Sequence, residues 1–498
     1  MKILFVGFES ESYSLCRLAK RLESDGHKIL LMQGDQWHFL SGQTGLQEYF
    51  DDHGFERWVN FEAAYERLYK EDWAVDWPYL RQFERDYCES KNLEQLILSD
   101  AVMRQYHHFR RPHFTPTSDE QVYYFAELLL KWIKRTVEEF DPDLIFNYRR
   151  NYFVKNAVAQ MALAEGIPIR SLIGSRIGDY HHLVMNFGLG TDDRIRSYLQ
   201  TTDPSDGAGE AIDVIEQFET TAGGLYDARS QKRVHGQADL VNPREVLVDW
   251  ARQVKRAGKN VAFREKRKYR FGRGNYFNNY LPLTLVNYTQ RAFNKLRYHY
   301  TDPFHRSVPD TPFLYFPLHT LPESSTLTLS TEYFERDLVR FVAKDLPAGY
   351  TLAVKENPNM VGVRPFSYYD DLTELPNVEL IDPNVPSKEL LRRSEGVCGI
   401  SGTALLEGTF LGTPAHAFGS PEFLDVLHSH GFDAFEEFVE TCRAGNYERP
   451  SSVVNYVQYV LDNGRELDLT AVRNDVDSPA FERGIDTIYK LLQADDVL

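Results

Sequence analysis

Short apolar runs that alternate with amphipathic helical segments constrain the fold of this chain more than any other feature. The run Lys2–Phe8 is followed by a helical pattern through Leu22 and then by a second run, His27–Met32. Such runs predict strands that are buried on both faces, and a strand–helix–strand unit implies a parallel sheet with a right-handed crossover. The first turn contains only Gly7, so the glycine-rich dinucleotide fingerprint is missing and no NAD or FAD site is predicted there.

The alternation recurs in two separate parts of the chain. The further predicted strands are Asp141–Phe146 and Ile167–Ile173 in the first part, and Phe313–Leu318, Tyr350–Lys355, Val378–Ile381 and Gly396–Ile400 in the second. A chain of 498 residues is too long for a single hydrophobic core. We therefore expect an α/β protein with two Rossmann-like domains that face each other across a cleft. The N-terminal domain is predicted over residues 1–200 and the C-terminal domain, with its closing helices, over residues 311–498.

Two regions depart from this alternation. Residues 37–140 are predicted to contain a mostly helical, aromatic-rich insertion in the first domain, and residues 201–310 an irregular connection. Within that connection, the segment 264–273 is basic and aromatic, which reverses the charge of an otherwise acidic chain. The segment suits an inter-domain helix, a surface for anionic lipid head groups or a patch that steers an anionic substrate, and a solvated helix face explains it equally well.

Overall charge and cysteine usage narrow the class of protein. The net charge of −17 argues against a nonspecific nucleic-acid binder. The four cysteines are scattered and no His, Asp or Glu cluster has metal-ligand spacing, so we predict reduced thiols, no obligatory metal and no cofactor. No signal peptide precedes the first strand, and no apolar run is long enough to span a bilayer. The expected location is the cytoplasm, with peripheral contact at the inner face of the membrane through 264–273 as a further prediction.

Polar side chains follow the carboxyl ends of the predicted strands in the second domain. Ser401-Gly402-Thr403 leads from the last of these strands into a helix, where unpaired N–H groups, the helix dipole and two hydroxyls suit a phosphate or diphosphate. Glu407 lies one turn further on, within reach of a ribose. Ligands of an open parallel sheet bind beyond the carboxyl ends of its strands, so several polar residues are expected in one site, although each alone is equally typical of a cap or a solvated strand end. The other members of this set are His319, Glu323, Ser324, Lys355 and Asn357.

Four segments of the second domain also resemble a known family. In chain order, Tyr315–Thr326, Val354–Asn359, Leu375–Ile381 and Ser401–Glu407 resemble capsular polysaccharide biosynthesis proteins, which belong with Kdo-transferase-like GT-B glycosyltransferases. The resemblance covers residues 312–420 and is weaker over the first 180 residues. It implies a metal-independent GT-B enzyme of surface glycan assembly that transfers a sugar from a nucleotide-sugar donor to a glycan or lipid-linked acceptor.

One position departs from the family pattern. Relatives have Lys-Glu-His-Pro where this chain has Lys355-Glu356-Asn357-Pro358. In GT-B enzymes that use nucleotide-activated acidic sugars, the histidine helps to hold the donor phosphate. An asparagine can donate a neutral hydrogen bond there but cannot carry positive charge.

The chemistry of glycosyl transfer assigns a role to each candidate on the donor side. Negative charge develops on the departing phosphate, and a metal-free site must neutralise it with fixed donors. Ser401, Gly402 and Thr403 are therefore assigned to the phosphates, with Lys355 as the supporting charge and Glu407 on the ribose. His319 and Glu323 are predicted to contact the donor sugar or phosphate, and the loop at Ser324 to add N–H groups.

An inverting reaction also requires a general base from the first domain, and two other functions remain open. The candidates for the base, which the sequence does not separate from cap and turn residues, are Glu9, Glu11, Asp179 and His181. A nucleotide-sugar 2-epimerase would need carboxylates on both sides of the sugar, and only Glu323 is well placed for that role. A non-catalytic glycan-assembly protein is the third hypothesis, because of Asn357.

Overall fold

The computed structural model describes most of the chain. The ranges outside the described part are 9–10, 34–44, 62–72, 90, 101–118, 149–151, 187–189, 203–207, 222, 226–241, 263–280, 302, 322–328, 330–333 and 496–497, together with the side chains of 45, 256–262 and 281–284. The predictions made for Glu9, Glu323, Ser324 and the basic segment 264–273 therefore lie outside the described residues.

Helices and strands alternate along both halves of the chain. The first lobe contains β1 (Lys2–Gly7), α1 (Glu11–Ser24), β2 (Lys28–Gln33), α2 (Gly45–Asp52), β3 (Trp58–Asn60), α3 (Trp77–Tyr87), α4 (Leu93–Leu98), α5 (Asp119–Phe140), β4 (Leu144–Asn147), α6 (Phe153–Glu165), β5 (Ile169–Gly174) and β6 (Tyr180–Val184). The connection contains α7 (Asp193–Thr201), α8 (Gly209–Thr220), α9 (Pro243–Ala262) and α10 (Leu281–Thr301). The second lobe contains β7 (Phe313–Pro317), α11 (Glu335–Asp345), β8 (Thr351–Lys355), the 3₁₀ turn η1 (Pro358–Met360), α12 (Phe366–Thr373), β9 (Val378–Ile381), α13 (Ser387–Arg393), β10 (Gly396–Gly399), α14 (Thr403–Phe410), β11 (Ala415–Ala417), the 3₁₀ turn η2 (Leu424–Val426), β12 (Ser429–His430) and α15 (Phe435–Ala444). The chain closes with α16 (Ser451–Asn463), β13 (Arg465–Glu466), α17 (Leu469–Asn474) and α18 (Pro479–Gln493).

The first sheet is built around β1. Among the described residues its strand order is β13-β6-β5-β4-β1-β2-β3. The central strands are parallel, and β6 runs antiparallel to both β5 and β13. Side chains alternate along β1: Leu4 and Val6 pack with α5 and α6, whereas Ile3 and Phe5 pack with α1 and α18. This period of two, buried on both faces, is the reason why the strand has a continuous apolar sequence.

Three strands of this sheet, β3, β6 and the two-residue β13, were not predicted from the sequence. β3 extends the sheet beyond β2 inside the region predicted to be a helical insertion, and its three residues are too few to produce a recognisable apolar run. β6 follows the turn after β5 and pairs with it. It is covered by α16, α18 and β13, which all come from the far end of the chain.

The second sheet has the strand order β12-β11-β10-β7-β8-β9 among the described residues, and all of its strands are parallel. Counted from β7, this is the doubly wound order 3-2-1-4-5-6, and the direction of winding reverses between β7 and β10. Tyr315 and Val397 pack on one face of the sheet, whereas Leu314, Phe316 and Cys398 pack on the other. The predicted α/β fold with two parallel-sheet domains is confirmed.

The division of the chain between the two lobes differs from the one that the sequence suggested. Residues 201–310, predicted to be irregular, contain α8, α9 and α10 within the described part of the chain. Residues from Arg465 onwards, predicted to belong to the second domain, pack on the first sheet through β13, α17 and α18. Between the lobes, Arg176 pairs with Glu422 at 2.9 Å, and the Tyr456 hydroxyl donates to the Ser175 carbonyl at 3.0 Å.

Candidate functional site

The switch point of the second sheet brings His319 next to the start of α14. His319 follows β7 and is buried, and its Nε2 has no hydrogen-bond partner among the described residues. A Cβ atom placed on Gly402, which follows β10, would lie 3.1 Å from that nitrogen. A side chain at position 402 would therefore press on the imidazole, which would have to move by a few tenths of an ångström. The crevice between strands β7 and β10 is the place where doubly wound sheets bind their ligands.

Gly402 is the N-cap of α14, with φ −71° and ψ 155°, and no side chain of the described residues caps the helix. The Leu405 N–H donates to the Gly402 carbonyl at 3.0 Å. Ser401 is buried, and Thr403, the first helical residue, is half-buried. The strand–turn–helix predicted from the sequence is therefore present, with its first N–H groups at the carboxyl edge of the sheet.

A buried ionic cluster orients His319. Its Nδ1 lies 2.9 Å from Glu335 Oε1, which also accepts the backbone N–H of His319. Burial would raise the pKa of Glu335, but the Arg364 guanidinium and His319 outweigh it and lower that pKa to about 2. The fully buried Arg364 bridges Glu335 and Glu356 and donates to the His319 carbonyl at 2.7 Å. The hydroxyl of Tyr368 also donates to Glu335, at 3.0 Å.

Lys355 ends β8, the strand next to β7, and is buried. Its Nζ donates to the Ser387 hydroxyl at 2.8 Å. Burial lowers the pKa of Lys355 to about 8, against the opposing effects of Glu407, Asp382 and Glu356. Ser387 is the first residue of α13, and its hydroxyl accepts this hydrogen bond from Lys355. A buried ammonium with one neutral partner is well suited to meet an anion.

Glu407 lies one turn into α14, as predicted, and already has a backbone partner. Its Oε1 accepts the Leu225 N–H at 3.0 Å. Burial raises the pKa of Glu407, while that N–H, Lys388 and Lys355 lower it. The Leu225 carbonyl in turn accepts the Gly178 N–H at 3.0 Å, so a loop of the first lobe is linked through Leu225 to this carboxylate.

Asn357 has a local structural role. Its Oδ1 accepts the Asn359 N–H at 3.0 Å and caps the 3₁₀ turn η1. Asparagine is among the preferred N-cap residues. Its predicted contact with the donor phosphate remains a prediction.

The first-lobe candidates for the general base have different surroundings. Glu11 is buried at the start of α1, and its two oxygens contact Lys155 at 2.7 Å and Arg473 at 2.9 Å. Both oxygens tie α1 to neighbouring helices, and the role of Glu11 as a general base remains a prediction. His181 is buried in β6, with Nδ1 2.8 Å from the Asp179 carbonyl. Asp179 itself is exposed in the turn between β5 and β6 and remains the predicted base.

Sequence reasoning found the strand ends but missed the residues behind them. His319, Lys355, Ser401, Gly402, Thr403 and Glu407 all lie at the carboxyl edge of the second sheet. Glu335 and Arg364 were not predicted, since nothing in the sequence relates two charged residues 29 positions apart. A glutamate in the first turn of a helix and a single arginine in a loop give no signal of a buried pair.

Comparisons with known proteins found distant structural similarities only. No protein-family model and no curated protein matches the chain. Similar solved structures include UDP-GlcNAc 2-epimerase from Neisseria meningitidis bound to UDP-GlcNAc, 11% identical, covering 93% of this chain and 99% of that one with a TM-score of 0.21. They also include the KpsC beta Kdo 2,4 transferase of Thermosulfurimonas dismutans, 12% identical over 66% and 83% with a TM-score of 0.33, and the glycotransferase of kitacinnamycin, 12% identical over 98% of both chains with a TM-score of 0.24. At these values the likeness carries no argument about substrate or reaction.

None of the described helices is long and apolar enough to cross a membrane.

Proposed function

We propose that this protein is a glycosyltransferase that moves a sugar from a nucleotide-sugar donor to a glycan or lipid-linked acceptor during surface polysaccharide assembly. The observation that carries the proposal is the juxtaposition of His319 Nε2 with Gly402 at the amino end of α14. The sequence resemblance over residues 312–420 supports the reaction class.

The donor phosphates are proposed to lie on the first turn of α14. Its N–H groups and the helix dipole favour an anion. Lys355, at the end of β8, would add an ammonium that is already desolvated. Fixed donors of this kind stabilise the charge that develops on the departing diphosphate without solvent reorganisation, and the proposed reaction needs no metal ion.

His319 is proposed to contact the donor directly. With Nδ1–H directed at Glu335, Nε2 is an acceptor in the neutral ring and a donor in the protonated ring. Either form can bind the donor, the first through a sugar hydroxyl and the second through a phosphate oxygen. The Glu335–Arg364–Glu356 cluster holds the ring in place and does not itself touch the donor.

The acceptor hydroxyl would be deprotonated from the first lobe. Asp179 is the proposed base, because it is exposed in the turn that follows β5 at the carboxyl edge of the first sheet. Its loop also reaches the second lobe, through Gly178 and Leu225.

The test is calorimetric titration of the purified protein with UDP and with CMP, followed by product analysis with a panel of UDP- and CMP-sugars. Lys355→Met should weaken binding of the preferred nucleotide. Lys344→Met makes the same charge change at an exposed site in the last turn of α11, at the opposite edge of the sheet, and should not. Release of nucleotide with sugar transferred to a glycan acceptor supports the proposal. UDP together with a free epimerised sugar would establish the epimerase instead, and failure of every nucleotide to bind would establish a non-catalytic protein.

A further inference from the structure

A pocket separate from the switch point lies beside the helical hairpin that α9 and α10 form in the connection. Helices α9 and α10 pack against each other, and a cavity of about 230 Å³ opens between them and the segment 358–363. We call this cavity the hairpin pocket. The segment 358–363 follows β8, so the pocket is reached from the same sheet edge as Lys355.

The lining of the hairpin pocket combines aromatic faces with planar polar groups. Trp250 from α9 and Tyr288 from α10 are both half-buried. The Trp250 Nε1–H donates to the Thr289 hydroxyl at 3.2 Å, which fixes the plane of the indole. Gln253 and Asn359 add amide donors and acceptors. A wall of this kind suits a ligand that has one apolar face and a rim of hydroxyls.

The pocket also has a positive side. Lys295 lies one helical turn from Arg291, and both line the cavity together with the single carboxylate of Asp249. Burial lowers the pKa of Lys295, with Asp249 opposing the shift and Arg291 adding to it. An anionic group bound between these side chains would relieve the repulsion between the two cations.

Close packing holds Lys295 in place. A Cβ atom on Gly362 would lie 2.4 Å from Lys295 Cγ and 3.0 Å from the Arg291 carbonyl, and Gly362 has φ +74°. Asn294 donates to the carbonyls of Gly362 and Arg364, both at 3.3 Å. The wall of the pocket is thereby tied to the arginine that organises His319.

We propose that the hairpin pocket binds one anionic sugar unit, a uronic acid or a sugar phosphate, of the acceptor glycan. The inference rests on the proposed glycosyltransferase function and names the class of its acceptor. An aromatic face would stack on the sugar ring, the amides would bond its hydroxyls, and Lys295 with Arg291 would bind the acidic group. The pocket does not share its lining residues with the proposed donor site. A polymer can therefore occupy the pocket while the donor occupies the switch point.

The test measures binding of glucuronate, glucose 6-phosphate, glucose and inorganic phosphate by ligand-observed NMR and calorimetry. Glucuronate or glucose 6-phosphate should bind the wild-type protein, and Lys295→Gln should weaken that binding about tenfold or more, as expected for a hydrogen bond to a charged group. Lys255→Gln removes one charge from an exposed position of α9 and is the matched control. Tyr288→Ala, which tests the stacking face independently of charge, should weaken the same probes.

The outcomes separate this inference from the proposed function. Glucose binding as tightly as glucuronate would overturn the anionic class, and phosphate binding as tightly as glucose 6-phosphate would overturn the sugar. Failure of all four probes to bind, or unchanged affinity in Lys295→Gln, would overturn the pocket itself. Nucleotide binding, measured on the same samples through Lys355→Met, reports on the transferase proposal alone.

Discussion

Lys355 allows the donor site to be tested through pH. The buried ammonium has a pKa of about 8, because burial outweighs its acidic neighbours Glu407, Asp382 and Glu356. In the empty protein this residue therefore loses its proton as the pH rises through about 8. A bound diphosphate favours the charged form, so binding at this pH should take up a proton. The contribution of Lys355 to nucleotide affinity should be constant well below pH 8 and fall as the pH rises above it.

The size of the effect follows from the difference between the two pKa values. The ordinary lysine pKa of 10.5 and the Lys355 pKa of about 8 differ by about 2.5, which corresponds to about 3 kcal/mol. If the phosphate fully restores the ordinary pKa, affinity should fall by at most about 300-fold between pH 8 and pH 10.5. Partial restoration gives a proportionally smaller fall over a narrower range.

Titration calorimetry in two buffers of different ionisation enthalpy measures the proton uptake directly. Lys355→Met should abolish both the uptake near pH 8 and the decline above it. Lys344→Met should retain both, and this control also corrects for ionisation of the nucleotide base. An identical pH profile in Lys355→Met and the wild-type protein would remove Lys355 from the phosphate site. Unfolding curves of both variants verify that the comparison is made on folded protein.

Three further predictions concern other parts of the structure. Gly402→Val should displace the His319 ring, because the added Cβ would lie 3.1 Å from His319 Nε2, and should lower nucleotide affinity measured by calorimetry. Gly209→Val is the control and should leave the affinity unchanged, because its added Cβ meets no atom within 4 Å. Equal affinity in both variants would refute the steric argument. Arg364→Leu should leave two buried carboxylates uncompensated and lower the free energy of unfolding in urea by about 3–5 kcal/mol, so a loss below about 1 kcal/mol would contradict the ionic role. Burial lowers the pKa of His182 from 6.5 to about 4, so the unfolded chain takes up this proton first and stability is lost as the pH falls through that window, by about 3 kcal/mol in total. His182→Leu should flatten the urea midpoint across this window, and an unchanged slope would assign the acid sensitivity to other groups.

Local sequence patterns were sufficient to predict the strands that carry the site. An apolar run of five or six residues that is bounded by turn or helix-capping residues favours a doubly buried strand, because it is short for a helix. The sequence therefore predicts that residues at the ends of such strands, including Lys355 and Thr403, share one edge of the sheet, and in the structure they do so. Shorter strands escaped detection, since β3 has only three residues, all half-buried.

The contacts that give these residues their chemistry depend on the tertiary structure. His319 meets Gly402 because β7 and β10 become neighbours across the switch point, although they lie about eighty positions apart in the chain. Glu335 and Arg364 are ordinary surface residue types until the fold buries them against each other. Glu11 is a carboxylate whose charge the fold compensates, because it pairs with Lys155 and with Arg473 of α17.

The amino-acid sequence by itself determined the α/β class, the strand ends and the glycine-led helix start, because backbone propensity and burial periodicity act over only a few residues. The tertiary structure alone decided which of those ends become neighbours, which charges are neutralised and which nitrogen is left facing the helix, because burial and electrostatic coupling join residues without regard to their separation along the chain.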